Sequence, residues 1–382
     1  MPPIRHIGIL TGGGDCPGIN AVIRAVVKTA VHLHGLRVTG FLDGFAGLMT
    51  AAARPLAFDD VSGILTQGGT ILGTSNRDDP FRVPLAGPRG TTFEDRSAEA
   101  VATLGRLEVD ALVVIGGDGS LRIADRLVAK GVRVVGVPKT IDNDIAETDV
   151  TFGFDSARAV ATEAIDRLHT TAASHHRILV VEVMGRHAGW IALDAGLAGG
   201  GDVILIPEIP FTWDAVARGI RARAAEGRRS SIVVVAEGAR QPSGEAVVSR
   251  LVEGSPDPVR LGGISAVAAR ELEARLPFEA RHVVLGHVQR GGTPTPFDRI
   301  LATRFGAAAV RGVADGAWGS MVALKGGRIE RVPIRTALAR LKLVDPAGER
   351  VGVARGLRTV FGDEACSGTQ PECRPKASAS SW

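Results

Sequence analysis

The chain has 382 residues, 45% of them hydrophobic and 23% charged, with a formal net charge of +4 at pH 7. That length implies two or three domain-sized units with ample apolar surface to bury, and the small charge excess without a dense basic run sets nucleic acid aside as a partner. Apolar runs such as ALVVIGG and SIVVVAEG stop far short of the roughly 20 residues a membrane-spanning helix needs, and three cysteines (Cys16, Cys366, Cys373) are too few and scattered for a disulfide framework or paired-cysteine metal site.

The first residues, MPPIRHIGILTGGGD, pass from a strand-like run into glycines. No apolar core of signal-peptide length precedes them, so a cytoplasmic location is expected. The run IGIL is followed by Leu10-Thr11-Gly12-Gly13-Gly14-Asp15-Cys16-Pro17-Gly18-Ile19-Asn20 and the helical stretch GINAVIRAVVKTAVHL. Glycines at a strand-to-helix turn let backbone amides approach a phosphate, and the helix start adds free N–H donors. A plain tight turn would use the same residues. The turn is not a Walker A loop, because no GKS or GKT follows, and it lacks GxGxxG spacing.

Arg77 follows GTILGTSN. Next comes ALVVIGGDGS, whose turn Ile115-Gly116-Gly117-Asp118-Gly119-Ser120 sets one carboxylate between glycines at a strand end. Asp118 there is the candidate Mg²⁺ ligand, with capping of a helix from Leu121 as the other reading. The strand VRVVGVP runs into Pro138-Lys139-Thr140-Ile141-Asp142-Asn143-Asp144, where two carboxylates, a hydroxyl and an ammonium crowd one strand terminus. One carboxylate can accept a hydroxyl proton while the other assists a metal. Asn and Asp also favour ordinary turns.

Further strands are expected at RILVVEVMG, DVILIPE, SIVVVAEG and HVVLGHV, and basic residues gather nearby: Arg177, Arg186, Arg281, and His287 with Arg290. Guanidinium groups bind phosphate oxygens with two parallel bonds. His175, His176 and His187 show no metal-ligand spacing and are read as polar lining. The segment from Arg240 to Gly263 reads as an exposed excursion, and 362–382 as a disordered tail. Near-continuous apolar strands alternating with helices predict α/β architecture, with mainly parallel sheets in two Rossmann-like three-layer domains facing a cleft. Ligands then belong at the carboxyl ends of the strands.

GILTGGGDCPGIN, GGTILGTS, IGGDGS, PKTIDNDI, TFGFDSA, EVMGRHAGW, LGHVQRGG and DRILATRFG, in this order, resemble the ATP- and pyrophosphate-dependent 6-phosphofructokinase family over about residues 4–345. The resemblance implies a donor domain of 4–153 plus 289–338 and a sugar-phosphate domain of 154–288 plus 339–361. It implies that Asp142 is the base for the sugar 1-hydroxyl, that Asp118 is Mg²⁺-associated and that Arg186 is catalytic. Thr140 and Asp144 match further sugar-side positions. Met184, Gly185, Glu237, His287 and Arg290 match the fructose 6-phosphate pocket. Gly13, Arg77, Gly119 and Ser120 match nucleotide-phosphate positions. Arg177 and Arg281 match arginines contributed by a neighbouring subunit, so a homo-oligomer is implied.

Two positions speak to the donor. Gly119 looks ATP-type, because pyrophosphate users carry Asp there, and Lys139 looks pyrophosphate-type, because ATP users carry Gly. Steric exclusion is harder to relax than an extra cation is to accommodate, so the expectation is ATP as co-substrate with Mg²⁺. Sedoheptulose 7-phosphate as acceptor, a catalytically dead nucleotide sensor and an NAD-dependent oxidoreductase are the rivals. Asp142, Asp118 and Arg186 argue against the sensor, and the missing dinucleotide fingerprint argues against the oxidoreductase.

Overall fold

The computed structural model describes residues 3–87, 90–241, 243–244, 248–251 and 259–363. All seven expected apolar runs form strands: His6–Gly12, Ala111–Gly116, Val134–Thr140, Ile178–Val183, Val203–Leu205, Ser231–Ala236 and Ala280–Val284. The first six are wholly buried apart from Thr140, as strands covered on both faces must be.

They divide into two sheets. The larger has eight strands. Its path runs Arg328–Pro333, Ser320–Lys325, Val134–Thr140, Ala111–Gly116, His6–Gly12, Arg37–Phe41, Ala53–Pro55, and Phe152–Gly153 pairs beside Thr140. The centre is parallel and both edges are antiparallel. The smaller sheet is parallel throughout, in the order Val203–Leu205, Ser231–Ala236, Ile178–Val183, Ala280–Val284. The chain leaves His6–Gly12 toward one side of its sheet and returns on the other. It does the same around Ile178–Val183. Each sheet therefore has a switch point, where the crevice at the carboxyl ends opens.

Helix Ile19–His34 packs on Pro296–Ala314, and one apolar cluster passes from beneath the larger sheet to the smaller without a break. Separate clusters cover the opposite face of each sheet. None of the described helices is long and apolar enough to cross a membrane.

The excursion between Arg240 and Gly263 contains an antiparallel pair, Val248–Leu251 with Val259–Leu261. One expectation is corrected. The helix expected from Leu121 begins at Asp118, with Gly117 as its extended N-cap. Most of the expected tail lies outside the described residues.

Candidate active site

The register Gly12↔Gly116 and Gly116↔Pro138 sets the three strand-end turns side by side at the first switch point. A fourth segment crosses them, since the Gly13 N–H donates to the Ser75 carbonyl at 2.9 Å and the Thr74 hydroxyl to the Gly13 carbonyl at 2.7 Å. This crossing brings Arg77 over the first turn. A cavity of about 670 Å³ results, and it gathers every donor-side candidate: Gly13, Arg77, Asp118, Gly119, Ser120 and Lys139. Thr140, Asp142, Asp144 and Arg290 line the same space. The helix Asp118–Ala129 points its amino end at it, an arrangement suited to anions.

Asp118 does not cap that helix through its side chain. Its carboxylate forms a two-point pair with Arg122, at 2.8 and 3.0 Å. Gly119, one residue on, is exposed, and a Cβ placed there would meet nothing within 4 Å. Lys139 behaves oppositely. It is buried, 4% exposed, and its ammonium donates to the Gly14 carbonyl, so burial pushes its pKa down.

The Asp142 N–H donates to the Thr140 hydroxyl at 3.0 Å, and the Thr151 hydroxyl donates to the Thr140 carbonyl at 2.8 Å. Asp142 Oδ1 is shut off from solvent and has no hydrogen-bond partner among the described residues. Burial drives its pKa up, and the nearby charge of Glu237 adds to this against Arg290 and Lys139. Asp144 is pushed up to about 6, first by burial and then by the Asp142 charge. An orphaned buried carboxylate oxygen carries a desolvation cost unless an incoming group satisfies it. Asp142 as a whole is half-buried and lines the cavity, where a group that accepts a hydroxyl proton could stand.

The second switch point supplies the other half. Met184, Gly185 and Arg186 follow Ile178–Val183, Glu237 follows Ser231–Ala236, and His287 sits exposed on the short turn Gly286–Arg290. Backbone bonds from Glu237 N–H to Val183 and Gly238 N–H to Gly185, at 2.9 and 3.1 Å, hold two of these ends together. The approach is close enough that a Cβ on Gly238 would fall 2.0 Å from the Arg186 carbonyl oxygen. Burial raises the Glu237 pKa, while the charges of Arg290 and Arg186 oppose it. Arg290 joins the halves: its guanidinium donates to the Asp15 carbonyl at 3.0 Å, and a Cβ on Gly14 would lie 2.9 Å from that guanidinium.

Arg177 and Arg281 are not in this cleft. Both pair with Glu279 at the opposite, amino end of the smaller sheet. The six-residue strand Ile178–Val183 separates Arg177 from Met184, seven steps of about 3.3 Å or roughly 23 Å. Sequence reasoning also missed Gln289, wholly buried, which accepts from Met184 N–H at 3.4 Å and donates to the Gly286 carbonyl at 3.1 Å. Gln289 lies within LGHVQRGG, but only the fold reveals that it fastens this turn.

Among the described residues no group of three or more His, Cys, Asp and Glu side chains is arranged to hold a metal unaided. Mg²⁺ in phosphoryl-transfer sites is held by one or two carboxylates plus substrate phosphates, and Asp118 and Asp144, on one cavity wall system, fit that donor set.

Two mainly parallel sheets with glycine turns, carboxylates and arginines around one cleft have the components that phosphoryl transfer uses. A family profile described as Phosphofructokinase matches residues 6–313. The chain is 50% identical over 365 residues to ATP-dependent 6-phosphofructokinase 2 of Clostridium perfringens, covering 95% of this chain and 100% of that protein. It is 55% identical over 342 residues to pyrophosphate–fructose 6-phosphate 1-phosphotransferase of Amycolatopsis mediterranei, covering 89% and 96%. Among solved structures, Pichia pastoris phosphofructokinase in the T-state superposes with a TM-score of 0.77 at 33% identity, over 94% of this chain and 39% of that longer one. The chain belongs to the phosphofructokinase family.

Proposed function

We propose that the chain transfers the γ-phosphoryl group of ATP to the 1-hydroxyl of fructose 6-phosphate. The open space beside Gly119 carries the choice of ATP, because the donor cavity continues past that residue without a side chain to block it. Asp142, on the cavity wall, takes the hydroxyl proton, and Thr140 helps to hold its turn. Arg186, Arg290 and Glu237 hold the sugar phosphate, with Met184, Gly185 and His287 shaping that pocket. Gly13, Ser120, Arg77 and the amino end of helix Asp118–Ala129 receive the donor phosphates. Asp118, with Asp144 nearby, would hold Mg²⁺, which would supply neutralisation of charge on the phosphates. Arg122 must then release Asp118.

Pyrophosphate as donor is the second reading, and Lys139 favours it: a buried ammonium against the Gly13–Gly14 turn can hold one end of a short, highly charged donor. Parallel assays with fructose 6-phosphate, Mg²⁺ and either ATP or pyrophosphate decide between them. Turnover with pyrophosphate alone overturns the ATP assignment, and turnover with neither overturns both.

A homo-oligomer in the cytoplasm completes the proposal. Its support is the placement of Arg177 and Arg281 away from this chain's own cleft, beside an edge strand whose Val284 is 52% exposed.

The raised carboxylates predict an acid limit. Asp144 is protonated below about pH 6 and ionised above it. Turnover that needs this carboxylate ionised therefore falls as pH drops through that value. In Asp144→Asn that titration is removed, so the acid limb of the residual kcat profile moves away from about pH 6. A limb that stays in place removes Asp144 from this role.

A further inference from the structure

We infer that Lys342 is a positioning residue for phosphoryl transfer: it holds the turn carrying Asp142 and Asp144, and the strap of residues 341–344 keeps that turn in register with the turn carrying Arg186. The inference rests on the reading of Asp142 as the base.

The strap leaves the larger sheet's half after helix Ile334–Ala337 and enters the smaller sheet's half before helix Glu349–Gly356. Along four residues it makes contacts to both. Leu341 bridges Ile145 in antiparallel fashion, and the Lys342 N–H donates to the Asp144 carbonyl at 2.8 Å. The Lys342 ammonium then donates three times: to Asn143 Oδ1 at 2.7 Å, to the Asp149 carbonyl at 2.9 Å and to the Thr148 carbonyl at 3.0 Å. These are all the donors an ammonium has, and each bond is charge-assisted.

Asn143 stands between the two aspartates. Its φ of 52° is left-handed, a conformation asparagine tolerates better than most residues. Its side-chain oxygen also accepts from the Thr151 N–H at 3.2 Å. Locking this one residue fixes the direction in which the chain leaves Asp142 and enters Asp144. A turn in a sparsely populated backbone region persists when its surroundings over-determine it, and here the over-determination comes from the ammonium.

The other side of the strap reaches the sugar half. Trp190 Nε1 donates to the Lys342 carbonyl at 2.8 Å. Glu208 Oε1 accepts from both Val344 N–H and Gly189 N–H, each at 2.9 Å. Gly189 closes the turn that begins at Arg186. One short segment thus ties the base-bearing turn to the arginine-bearing turn through Lys342 on one side and Glu208 on the other. Reacting groups misplaced by about 1 Å can lose about a hundredfold in rate, so the strap bears on kcat rather than on the affinity of either substrate.

The test compares Lys342→Met, which keeps the stem and removes the charge, with Asn143→Gly, which keeps the left-handed turn and removes the acceptor. Expected for each is a kcat lowered by about a hundredfold, with both KM values within about threefold of wild type. In the double variant the two losses do not multiply, because both remove the Lys342–Asn143 bond. A kcat within about threefold of wild type in both single variants overturns the inference. So do KM values that rise in step with the fall in kcat, or losses that multiply in the double variant. If Lys342→Met does not fold, Asn143→Gly decides by the same kcat criterion. Asp142→Ser in the same assay reports separately: high turnover there refutes the base assignment, whatever the strap variants do.

Discussion

Asp142→Ser is expected to lower kcat by about three orders of magnitude, within the range that loss of a general base produces, while the dissociation constant for fructose 6-phosphate shifts by less than about threefold. The serine cannot hold the proton in the transition state, whereas Arg186, Arg290 and Glu237, the side chains proposed to hold the sugar phosphate, remain. The same variant should melt no lower than wild type. At neutral pH the parent confines a carboxylate whose Oδ1 lacks any partner among the described residues, and burial disfavours its charge. Replacing it removes that cost. Steady-state kinetics, calorimetric titration with the sugar and a thermal melt together separate catalysis from binding and folding. A kcat within tenfold of wild type would remove Asp142 as the base, and a large loss of sugar affinity would make it a binding group.

Much of this site was legible because its chemistry sits at strand ends. Runs of six or seven residues, two ending in Gly and the third in Pro-Lys-Thr, mark both a buried parallel strand and the turn that follows. Once IGIL, ALVVIG and VRVVGVP are strands, the three turns after them must share one edge. What the sequence did not disclose is how segments distant in the chain cross that edge. Arg37–Phe41, RVTGF, has an exposed first residue and a glycine, too weak a pattern to read as a strand. The antiparallel hairpin of Ser320–Lys325 and Arg328–Pro333 is half exposed at the sheet border and carries charges along one strand. Lys342 lies in a stretch with no apolar period, where a lysine would ordinarily be a solvated charge. Its three acceptors come from residues nearly 200 positions earlier. Arg177 and Arg281 looked like site residues from their position beside strands, yet a strand has two ends, and composition does not say which end faces this chain's cleft.

Gly119→Asp is expected to lower kcat/KM for ATP by about a hundredfold or more and to leave folding intact. Folding survives for two local reasons. A Cβ at 119 meets nothing within 4 Å, and the residue is second in helix Asp118–Ala129, where an acidic side chain complements the helix dipole and replaces a poor helix former. The cost falls on the ligand instead. A carboxylate projecting from 119 stands in the cavity proposed for the nucleotide, where it would meet the negative charge of the donor phosphates. Two like charges about 4 Å apart repel by about 4 kcal/mol at an effective dielectric of 20, enough for a hundredfold effect even after substantial screening. Pyrophosphate is shorter than a nucleotide triphosphate and can stay against Lys139 and the Gly13–Gly14 turn, so its kcat/KM should hold or rise. The ratio of the two specificity constants, measured on one enzyme preparation alongside a melt, is therefore the informative quantity. If it moves toward pyrophosphate at unchanged stability, the space beside Gly119 governs donor choice. If ATP turnover persists, that space is not where the nucleotide lies, and Lys139, the buried cation at the floor of the same cavity, becomes the position that sets the donor.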